Sequence, residues 1–479
     1  MQTRELRGME RVLVDLSDSM GPDVLVARLR GNMDVKRLEQ AIAVVVARHP
    51  LLRASIVDGT MVGQPFDASK AKLHVVTNRH WQQVAEEQVG IPFDVSSGSL
   101  TRTTWIPDEE GGRLLFAAHH AVVDGHSLMR LLDELLQAYR ADKPAYVVRH
   151  KLLPSAFEYL WLPLWMHWLA PLVRFVGLLA MRLTRHAPWT AALRPVPTPG
   201  TIATFAMGTC DGWHRLRSAC RQNDVTVGGA FMAASWFAAA KLLAARGVNP
   251  LSDGYASIET PVSLRGRTTT PIPADAIGYF VSGVRPTVGV GPSTDFWRLA
   301  RDLRTSQSVQ LAWGVPAWVQ LLADGMPDFR DQVAHAGVDL SATAGLASLV
   351  TVSNVGAYPH TPRVGDLELT EVYALDGISE GGTGLVTWLR MVGGRLCFNA
   401  IGSTALVDRN ELEWVQGEIV RLLEYPDEIR GRRATETDSK HRFSVLESRA
   451  TEPGGPGVNH EIGSLGEYFS GASDTRLAA

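Results

Sequence analysis

Two neighbouring histidines, His119 and His120, with Asp124 and Gly125 close behind, lie inside the oily stretch LLFAAHHAVVDGHSLMRLLDELL that begins at Leu114. A neutral imidazole titrates near physiological pH, so it can take a proton from a hydroxyl or amine while that group attacks a carbonyl. Asp124 can hold such an imidazole in orientation, or pair with an arginine and fix the loop. Gly125 permits backbone conformations or close approaches that a side chain blocks. A metal site built from His119 or His120 with Asp124 and His126 needs a further distant ligand, and no second cluster of His, Cys and Asp in the sequence offers one. Histidines satisfied by backbone carbonyls are the commoner case for an isolated His, but they leave the carboxylate and glycine unexplained. The chemical reading gives one histidine to proton transfer and the other to structure.

Elements on either side must position these groups. Leu114 to Ala118 is an unbroken apolar run, the pattern of a strand buried on both faces. From Ser127 onward Leu128, Leu131, Leu132, Leu135 and Leu136 recur at three- and four-residue intervals, opposite Asp133, Glu134 and Gln137. That spacing predicts an amphipathic helix with Ser127 as its N-cap. The histidines therefore fall in a strand-to-helix turn, and because side chains alternate across a strand they face different directions.

His119, His120, Asp124 and Gly125 match the HHxxxDG signature, and by it the chain resembles the condensation-domain and coenzyme A dependent acyltransferase superfamily. That superfamily includes nonribosomal peptide condensation domains, polyketide-associated acyltransferases and wax ester synthase/diacylglycerol acyltransferases. Further family-like segments occur in order: Leu29 to Val57, ending in HPLLRASIV; SIETPVSLRGR (Ser257 to Arg267); AIGYFVSGV (Ala276 to Val284); and SNVG (Ser353 to Gly356). The resemblance implies an α/β fold: two chloramphenicol acetyltransferase-like α/β sandwich subdomains forming a V-shaped pseudodimer with a central tunnel. It implies His120 as general base midway along that tunnel, with His119, Asp124 and Gly125 beside it. Asp124 would be a structural partner of Arg265 or Arg267, a solvated turn being the other reading of these arginines. Asn354 and Gly356 would line the tunnel, with a plain turn as the alternative. No bound cofactor and no metal are implied; acyl-CoA or an acyl-phosphopantetheine enters as co-substrate.

Departures narrow the choice. The DFGWG motif of plant-type members is missing, and SNVGAYP stands where wax ester synthases favour an NVPGP-like motif. No carrier-protein or adenylation segment adjoins, which points to a free-standing transferase, with a carrier protein in trans as a further donor.

A chain of 479 residues exceeds one comfortable core, so two subdomains are expected. The boundaries read as 1–150 with the histidine loop, an apolar linker at 151–200, a second subdomain at 201–430 and a flexible tail at 431–479. Strands are expected at Thr201 to Gly208, Tyr255 to Val262, Leu346 to Val355, Leu367 to Ala374 and Leu385 to Ile401. Helices are expected over DGWHRLRSACRQND, over VTVGGAFMAASWFAAAKLLAARG, at Asp295 to Val309 and at Asn410 to Leu423. A net charge of -3 gives no reason to expect nucleic acid. Cys210, Cys220 and Cys397 are far apart and suggest reduced thiols in the cytoplasm. The first residues lack the apolar core of a signal peptide.

Residues 158–189, EYLWLPLWMHWLAPLVRFVGLLAMRLTRHAPW, are far more apolar than the rest. Pro163, Pro171, Arg174 and Arg182 interrupt the run below the roughly 20 residues a membrane span needs. Trp161, Trp165, Trp168 and Leu172 share a helical face, with Arg174, Arg182 and Arg185 beyond them, a pattern for a helix lying in the headgroup layer. The alternative is a linker buried against the core. An interfacial helix implies peripheral contact with the inner face of the membrane and a lipid or glycolipid acceptor. The sequence thus points to transfer of an acyl group from a thioester to a hydroxyl. Amide formation of the peptide-synthetase type comes second, and a noncatalytic binding module third. GISEG (Gly377 to Gly381) matches the GxSxG elbow of hydrolases, but the residues after it alternate like a strand, where an elbow needs a helix.

Overall fold

The computed structural model describes residues 2–425 except 19, 142–149, 184–199, 249–253, 292, 327, 336–349, 358–362 and 378–383. The expected tail at 431–479, residues 184–199 of the expected linker, and Ile378 to Gly381 of GISEG lie outside these.

The run DVLVARL and the run LLFAA are apolar on both faces, as strands flanked on either side must be. They form the adjacent central strands Asp23–Arg30 and Gly111–Ala118 of a six-stranded sheet. Its order is Arg363–Val364, Leu367–Leu375, Asp23–Arg30, Gly111–Ala118, Thr101–Asp108 and Leu73–Val75. All its pairings are antiparallel except the last. The strand Leu367–Leu375 comes from well beyond the linker, so the N-terminal sheet crosses the division at 151–200. A second sheet of seven strands is ordered Val281–Val284, Tyr255–Ser263, Val350–Ala357, Leu385–Val392, Arg395–Ser403 and Thr201–Met207, with Thr287–Gly289 paired to Tyr255–Ser263. A small third sheet joins Gln2–Glu5, Thr60–Gly63 and Ala54–Val57.

The expected run Leu385 to Ile401 is two strands. Gly393 and Gly394 have φ of +54° and +79° and close them in a tight hairpin, a conformation that glycine reaches without a Cβ penalty. The helix Gly125–Arg140 buries all five leucines of its apolar stripe, each contributing about 1.5–3 kcal/mol, and packs against the helix Val35–Arg48. Asp124 caps it by accepting from the Ser127 N–H at 2.7 Å, which displaces the cap expected at Ser127. The helix Val227–Ala245 is apolar all round and mostly buried; among the described residues it alone is long and apolar enough to cross a membrane, and it serves as a core helix. One core cluster joins the two sheets, running from Val24, Leu115 and Leu128 to Trp388, Cys397 and Ile401. The three cysteines form no disulfide.

The linker helix runs Leu164–Leu183 and contains Pro171. Met166 and Ala170 pack with Phe157 and Leu321, and the Trp165 ring meets Trp318 at 5.8 Å. The opposite side is bare: Leu164, Trp168 and Phe175 are 78, 83 and 63% exposed. Trp161 precedes the helix and is exposed, so it does not share a helical face with the others as the spacing suggested.

Candidate active site

After Ala118 the strand stops because the His119 N–H turns to the Leu100 carbonyl, 3.0 Å away, and a short turn over His120–Val122 leads to the helix at Gly125. The two imidazoles then part. His119 is buried, its Nδ1 accepting from the Ala121 N–H at 3.1 Å, which leaves the proton on Nε2 to reach Ser17 Oγ at 2.8 Å. Burial pushes its pKa down to about 4. Both ring nitrogens of His119 are thus occupied by protein groups, which leaves neither of them open to a substrate in this arrangement.

His120 is 28% exposed, and its Nδ1 makes an ion pair with the buried carboxylate of Asp23. The Tyr279 ring stands edge-on to it with centroids 5.2 Å apart. Among the described residues no protein group bonds its Nε2, so that nitrogen is the one a substrate can meet. Burial works against the charged imidazole, but Asp23, with Asp376 and Asp124 behind it, outweighs burial and raises the pKa to about 9.

Asp124 does not orient an imidazole. It is fully buried and accepts from Arg265 Nη1 at 2.6 Å, from the Phe280 N–H at 2.9 Å and from the Ser127 N–H. Burial alone would raise its pKa; the guanidinium and the N–H donors outweigh that and hold it below the usual carboxylate range. Arg265 also reaches Ser127 Oγ at 3.0 Å and the Ala276 carbonyl at 3.3 Å, and lies 4.8 Å over the Phe280 ring. Ser127 Oγ in turn accepts from the Gly278 N–H at 3.0 Å. The histidine loop is thereby clamped to the 276–280 segment. Arg267 takes no part: it is exposed on the turn, its N–H donating to the Leu264 carbonyl.

Gly125 is not in the left-handed region, and an added Cβ would sit 3.4 Å from Val355 Cγ2, an ordinary contact, so its backbone does not demand glycine. Val355 is thus the residue of SNVG that touches the loop. Asn354 and Gly356 are exposed and flank a bulge; Asn354 Oδ1 accepts from the Gly356 N–H at 3.0 Å, and its amide lies near Gly228.

Sequence reasoning missed Asp23, Asp376, Ser127 and Tyr279. Asp23 stands at the head of an apolar strand, an odd place for a carboxylate, and that oddity was the one available signal. Of GISEG only Gly377 is described; a Cβ there would lie 2.2 Å from the Gly21 nitrogen, and the next described element is the strand Leu385–Val392.

A condensation-domain family model matches residues 23–147, and a model described as the phthiocerol/phthiodiolone dimycocerosyl transferase C-terminus matches residues 214–388. These two matches, in succession along the chain, support the resemblance to the condensation-domain and coenzyme A dependent acyltransferase superfamily. Polyketide synthase associated protein 5 from Mycobacterium tuberculosis is similar to this chain with a TM-score of 0.60 at 18% identity, over 88% of this chain and 97% of its own. The TRI3 trichothecene 15-O-acetyltransferase from Fusarium sporotrichioides gives 0.66 at 14% over 88% and 94%, and the first condensation domain of the CDA synthetase 0.61 at 16% over 91% and 98%. These likenesses show the fold, a chloramphenicol acetyltransferase-like pseudodimer. In sequence, the nonribosomal peptide synthetase kk1B of Curvularia clavata is 24% identical over 328 residues, 66% of this chain and 2% of that protein. The chain spans only that small fraction of the synthetase's length.

Proposed function

We propose that this protein is an O-acyltransferase that moves an acyl group from a thioester, acyl-CoA or an acyl carrier protein, to the hydroxyl of a lipid or glycolipid-like acceptor. The observation that carries the reading is His120: a part-exposed imidazole anchored through Nδ1 on a buried carboxylate, with Nε2 left to the substrate. The neutral form of His120, the minor one at neutral pH with its pKa raised to about 9, takes the acceptor's proton at Nε2 as the oxygen attacks the thioester carbon. The tetrahedral adduct collapses, the C–S bond breaks, and the imidazolium returns the proton to the departing thiolate. A channel between the halves would let donor and acceptor meet at that nitrogen from opposite sides. The test is a panel of acyl-CoA and acyl carrier protein donors against pooled alcohols, amines and glycolipids, read by product mass. An ester is expected. An amide would favour the second reading, condensation of the peptide-synthetase kind, which the kk1B likeness supports. No product with any donor would point to a binding module.

The acceptor class draws on the helix Leu164–Leu183. Its bare apolar side, with tryptophan prominent, suits the headgroup layer better than water, and we place it at the cytoplasmic face of the membrane. Leu164→Asp with Trp168→Asp removes two anchors worth about 1.5–3 kcal/mol each. Co-sedimentation with phosphatidylcholine/phosphatidylglycerol vesicles should fall at least about tenfold in the double variant. Equal binding by both proteins would remove the helix from the membrane.

A further inference from the structure

We propose that Asp23 and Asp376 form a carboxylate pair that shares one proton and positions His120, so that the base works as one member of a three-group unit. This deepens the reading of His120 as the base and rests on it.

Sheet register brings the three together. Asp23 begins its strand opposite Ala118, and His120 lies two residues past Ala118. On the other side the last pair of the crossover strand is Leu375 with Val24, so the next residue outward, Asp376, arrives beside Asp23. Directly opposed residues on antiparallel strands have Cβ atoms about 4.5–5.5 Å apart, and like charges there repel. Two glycines let the chains close behind the pair: a Cβ on Gly377 would lie 2.2 Å from the Gly21 nitrogen, and one on Gly21 would lie 2.0 Å from the Val89 carbonyl oxygen. The close approach that sets Asp376 against Asp23 thus needs glycine at both positions.

Two adjacent carboxylates, of which Asp23 is buried and Asp376 part-buried, cannot both ionise cheaply. Burial first, and then the charge of Asp23, raise Asp376 to about 7, with His120 opposing. Asp376 therefore keeps a proton over a pH range in which an ordinary carboxyl has lost it, which lowers the negative charge of the pair beneath His120. The remaining groups that face the imidazole are accounted for. Asp124 is neutralised by Arg265, His119 is neutral, and Tyr279 presents a ring whose hydroxyl is pushed well above its ordinary pKa by burial first and then by these acids. When Nε2 takes the acceptor's proton, the imidazolium finds a single counter-charge at Nδ1. When it gives the proton to the thiolate, the pair is left as it began, so it neither gains nor loses a proton over the cycle. The charge beneath it already raises His120 to about 9, so the neutral base is the minor form at neutral pH, and a second full negative charge would make it scarcer still.

The experiment is a titration of the full chain labelled with 15N-histidine, with His120→Ala to assign the resonance, beside the pH profile of kcat/KM. Asp23→Asn should lower the His120 midpoint by more than about one pH unit, the size of effect an adjacent opposite charge exerts. It should also move the acid limb of the profile down by the same amount and lower kcat at least about tenfold, while Asp23→Glu restores part of both. Asp376→Asn, which leaves Asp23 charged, should erase the second inflection near 7 from the His120 curve and keep a high midpoint. An unchanged midpoint in a folded Asp23→Asn overturns the proposal. If that variant does not fold, a second inflection that survives in Asp376→Asn overturns it instead. Transfer that survives in His120→Ala sinks His120 as the base and leaves the carboxylate pair to the imidazole titration, which reads it without any substrate.

Discussion

Arg265→Ala is expected to lower folding stability by about 3–5 kcal/mol, the usual cost of removing one partner of a buried ion pair. The size reflects the groups left behind. Asp124 is fully buried and depends on the guanidinium at 2.6 Å, and Ser127 Oγ and the Ala276 carbonyl lose a donor at the same stroke. Domains of this kind have only about 5–15 kcal/mol in hand. The loss has a pH signature. In the native protein Asp124 is held below the usual carboxylate range, so it stabilises the fold above the unfolded value near 3.9 and stops doing so as pH falls through its folded pKa. In the variant, burial without arginine drives the carboxyl up. The penalty is therefore largest at neutral pH and shrinks on acidification. Urea unfolding at pH 7 and near pH 4.5 measures both; Arg265→Lys, which keeps the charge without the fork, should lose less. A cost below about 1 kcal/mol at pH 7 would mean that the clamp does not hold the loop.

His120→Ala is expected to lower kcat for acyl transfer by about a thousandfold, within the range for losing a general base. Its folding stability should fall as well at neutral pH, since the raised pKa of His120 reports an ion pair with the buried Asp23 that is lost, so the rate is read per folded molecule. His119→Ala should show a different balance. It strips partners from Ser17 Oγ and the Ala121 N–H in a buried site, so its thermal midpoint should drop while the rate in the folded fraction falls less. Parallel melts and steady-state rates separate the two. A comparable loss of kcat per folded molecule in both variants would deny them distinct roles.

Much of the frame was legible because it rests on periodicity. The apolar run before His119 and the leucine stripe after Gly125 each specify an element, and the turn lies between them. The chemistry around the turn was legible only in part. That two adjacent histidines diverge could be read from a strand's alternation, but which ring is saturated depends on Ser17 and a backbone N–H, and no spacing encodes these. Arg265 and Arg267 are equivalent on paper; they separate once the position of Asp124 decides which one it meets. Ser127 looks like a helix cap and works instead in the clamp, because Asp124 reaches its N–H first. Asp23 and Asp376 were out of reach for a plainer reason. Their contact is set by the register of a strand that crosses from the second half of the chain into the first sheet, and register between distant segments leaves no local mark. The linker's composition showed that it was unusual, but only the packing of Met166 and Ala170 showed which side of it is covered.

One measurement reaches the centre of this mechanism: free-thiol release from an acyl thioester by wild type and His120→Ala, with and without a hydroxyl acceptor, the product identified by mass. Thiol release that needs the acceptor, yields an ester and falls about a thousandfold in the variant is the expected result. Acceptor-dependent release that proceeds equally well in His120→Ala would contradict His120 as the base.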